Sequence, residues 1–249
     1  MKILFTLCGR AGSQGIKGKN LRKFCGKYLA HYAIAAIDLY LKAHPEVEYD
    51  IVVNSDSLEL IELVESNGMR PVTRIVRDAS LAGAALGKIT AVNDCREKMV
   101  AKNGDCYDMI VDMDITSPFR TLKNLEDVIA LQWEKKADVT TTVAPARRNP
   151  YFNQVMRTEH GVKKVIESDY TARQQAPDIY DMNASIYAYD PKFLASGKGV
   201  LQGYMEIVEM VDTGILDLDH ENDLALMEII GEHLFAHNEE MAEVRNNIP

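Results

Sequence analysis

Short unbroken apolar runs alternate with stretches whose apolar residues recur at helical spacing. That rhythm constrains the fold of this 249-residue chain more than any other feature. Residues 3–8 form a continuous apolar run, as a strand covered on both faces of a parallel sheet would. Leu29, Ala33, Ala36, Ile37, Tyr40 and Leu41 then fall on one helical face. Residues 50–54 read as a second buried strand. Ser55, Asp56 and Ser57 follow as N-cap candidates, with Glu59 three after Asp56, ahead of Ile61 and Val64. Residues 71–76 give a weaker strand, 86–102 a helix, and 107–113 a strand ending at Asp114. Leu122, Leu125, Val128, Ile129 and Trp133 mark the next helix, capped near Thr121, and 138–143 is β-branched and strand-like. The stretch 144–181 breaks the rhythm. Its pieces 152–157 and 162–166 flank Glu159-His160-Gly161, a hairpin signal, so it reads as an excursion from the main sheet. Strand character returns at 185–189 and 207–211, and Leu226, Ile229, Ile230 and Leu234 form a last helical stripe. The expectation is one domain over 1–249, a mostly parallel sheet between two helical layers. Ligands of such folds sit beyond the carboxyl ends of the strands.

Charge narrows the partners. Basic residues number 28 against 37 acidic, a net charge of −9, which disfavours nucleic acid or a membrane surface as partner but permits a local basic pocket. The four cysteines, at 8, 25, 95 and 106, form no C-x-x-C and show no zinc spacing with the six histidines. They read as free thiols of a reducing compartment, and Cys8 as a packing residue. No run approaches the roughly 18 apolar residues of a membrane span, and the apolar start is too short for a secretory signal. A cytoplasmic location is expected.

The segment from Cys8 to Asn20, C-G-R-A-G-S-Q-G-I-K-G-K-N, carries the most chemical information. Glycines at 9, 12, 15 and 18 let backbone N–H groups approach an anion, and Arg10, Ser13, Lys17, Lys19 and Asn20 offer side-chain contacts to a phosphate chain. Arg10 supplies a fork for two oxygens and Lys19 a compact charge. The segment is not a P-loop, which needs glycine at 13 and Ser or Thr at 20. Nor is it G-x-G-x-x-G, because Arg10-Ala11 separates the first two glycines.

This segment resembles the R-x-G-S-K-G…K-N signature of the acylneuraminate cytidylyltransferases, the enzymes that make CMP-sialic, CMP-legionaminic and CMP-pseudaminic acids. Four further stretches match in the family's order. Thr116-Ser117-Pro118-Phe119-Arg120 is similar to Q-P-T-S-P-L-R, and Arg173-Gln174-Gln175 to R-Q-Q. Asn183-Ala184-Ser185-Ile186-Tyr187 is similar to N-G-A-I-Y, and Leu216-Asp217-Leu218-Asp219 with Asp223 to I-D-I-D…D-L. The chain departs from the pattern at Gln14, where the family has lysine, at Asp114-Ile115, where it has glutamine and proline, and at Leu81-Ala82-Gly83-Ala84, where it has L-A-S-D. The run from Arg147 to Asn153, R-R-N-P-Y-F-N, is most similar to the legionaminic branch.

The resemblance implies a Rossmann-like nucleotidyltransferase fold with a dimerisation arm at 144–181. It implies transfer of CMP from CTP to the anomeric hydroxyl of an acidic nine-carbon sugar, with release of pyrophosphate. Expected nucleotide contacts are Cys8, Gly9, Arg10, Ala11, Gly12, Ser13, Lys19, Asn20 and Arg77. Arg10, Lys19, Asp217 and Asp219 are expected to carry catalysis. Two carboxylates two residues apart on a strand end share one side, which suits Mg²⁺ on Asp217 and Asp219, although Asp219 equally suits a helix cap. Expected substrate contacts are Asp114, Thr116, Ser117, Arg120, Arg173, Gln174 and Asn183. Each has a plainer reading. Arg77 pairs with Asp78, residues 116–118 make a turn before a helix, Arg120 caps a helix end, residues 173–175 form an exposed loop, and Asn183 bonds loop to strand. Tyr151 and Phe152 fit either a substrate wall or dimer packing. The expected assembly is a homodimer. The rival readings are a pyrophosphorylase for an eight-carbon keto acid or a hexose 1-phosphate, and a nucleotide-binding relative without turnover.

Overall fold

The computed structural model describes residues 1–12, 15–81, 83, 87–104, 106–211, 218 and 221–249. Its centre is a seven-stranded sheet in the order β5-β4-β1-β6-β10-β7-β11. The strands are β1 (Lys2–Cys8), β4 (Glu48–Ser55), β5 (Thr73–Val76), β6 (Met109–Met113), β7 (Val139–Pro145), β10 (Tyr180–Tyr189) and β11 (Met205–Glu209). All neighbours pair in parallel except β10, which runs antiparallel to both β6 and β7. Two small hairpins complete the strands: β2 (Lys23–Phe24) with β3 (Lys27–Tyr28), and β8 (Val155–Thr158) with β9 (Gly161–Lys164).

Helices cover both faces, as the alternation predicts. One face packs against α1 (Leu29–Ala43), α2 (Leu58–Glu65), α4 (Leu122–Lys135), α6 (Glu221–His237) and α7 (Glu239–Asn246). The other packs against α3 (Lys88–Asn103) and α5 (Pro191–Ala195). Helix α1 is buried on nearly every side, from Leu29 through Leu41, because α7 and α4 pack on the side turned away from the sheet. Its one buried carboxylate, Asp38, is held by Lys42 (2.6 Å), Arg70 Nε (2.5 Å) and Asn247 Nδ2 (2.9 Å), which ties the C-terminus to the core.

Two helical stripes differ from expectation. Trp133 is 47% exposed, with the Lys136 ammonium 3.3 Å from its ring centroid. The inward position is Gln132, whose amide bonds Ala137 O and accepts from Thr140 Oγ1 at 2.6 Å. In α6, Leu226 and Ile229 are exposed and Met227 is buried instead. Gly231 faces the Phe24 ring on the inward side, where a Cβ would run into it. The first cap of α2 is Ser57, which accepts from Leu60 N, rather than Asp56.

The excursion is real but shorter than expected. Tyr180 pairs with Pro145 and Asp181 with Ala144, so the main sheet claims both ends and the projection spans 146–179. Because β7 runs parallel to β1 and β6 and β10 runs back, the projection leaves from and returns to the carboxyl end of the parallel strands. No described helix is long and apolar enough to cross a membrane.

Candidate active site

The chain leaves β1 at Cys8 and turns at once. Gly9 N donates to Asn54 O (3.2 Å), fastening the turn to β4. A Cβ on Gly9 would lie 2.7 Å from Leu60 Cδ2 and 2.9 Å from Asn20 Nδ2, so a larger residue there would force those side chains to shift. Ala11 N then donates to Asp56 Oδ1 (2.7 Å), and Asn20 Nδ2 returns to Arg10 O (3.1 Å). Asp56, read from the sequence as a helix cap, thus fastens the loop. A single 3-10 turn, Lys19–Leu21, begins after Gly18, whose φ of 65° is left-handed.

Inside this loop lies a cavity of about 660 Å³, lined by Arg10, Ala11, Lys17, Gly18, Asn20, Leu21, Arg22, Ser57, Glu59 and Leu60. Three cations against one carboxylate make it locally positive on an acidic protein, a setting that draws in anions. The structure therefore brings together the expected Gly9, Arg10, Ala11 and Asn20. Lys17, a phosphate-contact candidate from the sequence, lines it too, and the structure adds Arg22. Gly12 is exposed on the same loop, and Lys19 is half-buried in the 3-10 turn. Cys8 is buried, with its sulfur 3.9 Å from that of Cys95. Ser13, Asp217 and Asp219 lie outside the described residues, as does Gln14.

Arg77 follows β5 and does not turn to Asp78. Its Nε donates to Asn54 Oδ1 (2.6 Å) and its terminal nitrogen to Asn54 O (2.9 Å), while Asn54 Nδ2 donates to Asp94 (2.9 Å). Asp78 instead accepts from Ser80. Arg77 thus stands at the carboxyl end of β4, beside the fastening point of the loop.

A second polar group sits at the end of β6. Thr6 Oγ1 donates to Asp112 Oδ1 (2.7 Å). Lys88 Nζ, at the start of α3, lies 2.7 Å from Asp112 Oδ2 and 2.7 Å from Asp114 Oδ2. Asp114 Oδ1 accepts from Thr116 N and Thr116 Oγ1, both at 2.8 Å. Burial alone would raise the Asp114 pKa. The Lys88 ammonium and the two Thr116 donors outweigh it and hold the carboxyl well below its ordinary range. Burial would likewise lower the lysine, and the two carboxylates reverse that and raise it. Lys88 and Asp112 were not legible as site residues, because their meeting depends on α3 packing over β1 and β4 so that its first residue reaches the end of β6.

The remaining expected contacts are placed differently from one another. Arg120 is 1% exposed and turned inward: its guanidinium donates to Ser117 O and Asp114 O, closing the turn over residues 114–120. That geometry gives Arg120 a structural task, holding the 114–120 turn closed from inside. Thr116 (4% exposed) and Ser117 (1%) are likewise inside the turn. Asn183 is also buried, accepting from Thr142 Oγ1 (2.6 Å) and Ser185 N (3.2 Å) at the irregularity in β10, where Ala184 has φ 54°. Asn183 thus bonds β10 to β7 side chain to side chain. Arg173 and Gln174 are exposed on the projection, with Arg173 donating to Ala146 O (3.1 Å). Among the described residues no three His, Cys, Asp or Glu are grouped to hold a metal ion.

Comparisons with known proteins agree with this arrangement. A family model described as Cytidylyltransferase matches residues 7–240. A CMP-N,N'-diacetyllegionaminic acid synthase of Campylobacter jejuni is 31% identical over 92% of this chain and 94% of its own length. A Post-translational flagellin modification protein B of Campylobacter coli is 30% identical over the same shares. A CMP-N,N'-diacetyllegionaminic acid synthase of Legionella pneumophila is 26% identical over 80% of this chain and 82% of its own. Among solved structures, a CMP:2-keto-3-deoxy-manno-octonic acid synthetase complexed with CTP superposes with a TM-score of 0.64 at 15% identity. The match covers 94% of this chain and all of the other, and shows the shared fold. The glycine-and-cation loop on β1, the mixed sheet beneath it and a family match over nearly the whole length lead to one conclusion: this chain belongs to the cytidylyltransferase family, and is a nucleotidyltransferase.

Proposed function

We propose that this enzyme transfers CMP from CTP to the anomeric hydroxyl of a nonulosonic acid, of the legionaminic type, and releases pyrophosphate. The observation that carries the proposal is the cation-lined cavity at the end of β1, in a chain that matches a CMP-N,N'-diacetyllegionaminic acid synthase over 92% of its length. The anomeric oxygen attacks the α-phosphorus, forming an O–P bond as the bond to the β-phosphate oxygen breaks and pyrophosphate departs. Two anions meet in this reaction, so the site must neutralise charge and align attack with departure. Arg10, Lys17 and Arg22 line the loop side and Lys19 lies between the last two in the 3-10 turn, an arrangement suited to receiving the departing pyrophosphate. Gly9 keeps the backbone low over β1, and Asp56 holds Ala11 in place.

Mg²⁺ belongs to the same proposal. Asp217 and Asp219 supply the hard oxygen donors the ion prefers and would hold it. When bound, it would neutralise phosphate charge. We further assign the projection over 146–179 to homodimer contact, on the strength of its exposed Val155, Met156 and Val162. The cytoplasm, with its CTP and reducing pool, suits the four free cysteines.

The test is to incubate the protein with Mg²⁺, each of the four nucleoside triphosphates and a panel of acids: legionaminic, sialic, pseudaminic and eight-carbon keto acids. Pyrophosphate release and the CMP-sugar mass are followed. Product from CTP and a nine-carbon acid is expected, abolished by Asp219→Asn in a folded protein. Tight CTP binding without product from any acid would overturn the proposal in favour of a non-catalytic relative.

A further inference from the structure

Asn54 joins three elements at one buried point. It is 0% exposed and lies in β4 between Cys8 of β1 and Ile75 of β5. Its carbonyl oxygen accepts from Gly9 N (3.2 Å), the first amide of the β1 loop, and from the terminal nitrogen of Arg77 (2.9 Å). Its side-chain oxygen accepts from Arg77 Nε (2.6 Å). Its Nδ2 donates to Asp94 Oδ2 on α3 (2.9 Å), an oxygen that Lys98 also holds at 2.8 Å. The loop, the arginine and the helix therefore share one residue. Because β4 and β5 run parallel to β1, Arg77 leaves the sheet at the loop's own end.

The chemistry of its neighbours requires an amide at this position. Asn54 faces a cation on one side and a carboxylate on the other. A primary amide carries both an acceptor and a donor, so it serves the two with no charge of its own. Those neighbours also fix its orientation, since a flipped amide would turn its NH2 to the guanidinium and its oxygen to the carboxylate. A guanidinium has five N–H bonds. Asn54 takes two of them, which sets the direction of Arg77 and leaves three unused by the described residues. Both bonds end on neutral oxygens, and Arg77 has no ion pair among the described residues. Its positive charge is thus undiminished.

An arginine held in place by neutral groups is prepared for an anion, whereas one paired to a carboxylate has spent its charge. We propose that Asn54, with Asp94 behind it, is a positioning residue that holds the charged Arg77 guanidinium and the first amide of the β1 loop in one fixed relation for the triphosphate of CTP. This assignment rests on the cytidylyltransferase reading above and deepens it. Asn54 acts through Arg77 and Gly9 rather than by touching the nucleotide.

The test exchanges the two side chains. In the double variant Asn54→Asp with Asp94→Asn, the bridge keeps its bonds with donor and acceptor reversed, and the net charge is unchanged. A carboxylate now pairs with Arg77. CTP is titrated calorimetrically into each protein with Mg²⁺ present, and thermal unfolding is followed without ligand. The exchange should keep Tm within about 3 °C of the wild type and weaken CTP about tenfold or more. In an Arg77→Met background it should change CTP affinity less than about twofold. A merely structural Asn54 would give back affinity together with stability. That result would overturn the proposal, as would an equal loss of affinity in the Arg77→Met background. Should the exchange not fold, Asn54→Ala takes its place: CTP should weaken about tenfold only where Arg77 is present, and unchanged affinity would overturn the positioning role. Wild type that binds CTP but yields no product from any acid would overturn the proposed reaction and leave Asn54 its role, and wild type that does not bind CTP would overturn both.

Discussion

On one side of β1, Arg10 and Lys17 face an open cavity with no salt-bridge partner among the described residues. On the other side, Asp112, Asp114, Lys88 and Arg120 are each held by protein groups. The two regions are neighbours at the same end of one sheet, and the difference is instructive. Unpaired cations on a glycine-rich loop cost little in water and gain most from an anionic ligand. Charges sunk into a turn cost much unless fully partnered, so they act first on structure and only through their leftover valences on ligands.

The largest expected effect tests the buried side. Arg120→Met should cost about 3 kcal/mol or more of folding stability, because it leaves carbonyls of the 114–120 turn without donors; chemical denaturation measures it. A loss within about 0.5 kcal/mol would mean that the turn does not depend on this clamp. The loop should answer oppositely. Arg10→Ala should raise KM for CTP about a hundredfold while the unfolding midpoint stays near that of the wild type, and Lys19→Ala should weaken CTP more than the acid. A joint fall in stability and affinity would erase the contrast between the two regions.

A smaller effect is a matter of pH. Asp114 has its pKa lowered in the fold, so its stabilising contribution is complete above the ordinary carboxylate value of about 4. That contribution is lost as pH falls from there through the lowered value. The thermal stability difference between wild type and Asp114→Asn should therefore be flat through neutral pH and shrink below about pH 4; a difference undiminished at pH 2 would contradict it. The smallest effect concerns Ala184, an alanine at φ 54°. Ala184→Gly should stabilise the protein by about 0.5–1 kcal/mol, readable as a rise in Tm.

Much of the architecture was legible because its signals are local. The apolar run of β1 and the glycine and cation density after it occupy one short segment, and there the sequence reading and the structure coincide. The pairing of Lys88 with Asp112 and Asp114 was not legible, since a lysine opening a helix looks like surface until α3 is laid over β1 and β4, beside the end of β6. Arg120 and Asn183 were named as substrate contacts by resemblance, with a helix-end cap and a loop-to-strand bond as the alternatives, and the sequence could not show which protein groups they hold. The structure spends them on backbone carbonyls and on Thr142. Trp133 was misplaced because helical periodicity alone did not reveal that Gln132 takes the inward position to bond Thr140.

The reversed direction of β10 has a consequence for how such enzymes diverge. With β7 leaving and β10 entering at the same rim, the 146–179 projection is a detachable fitting whose replacement leaves the strand order and the opposite rim untouched. Residues can therefore be exchanged, added or lost over 146–179 without disturbing the strand order that carries the β1 loop.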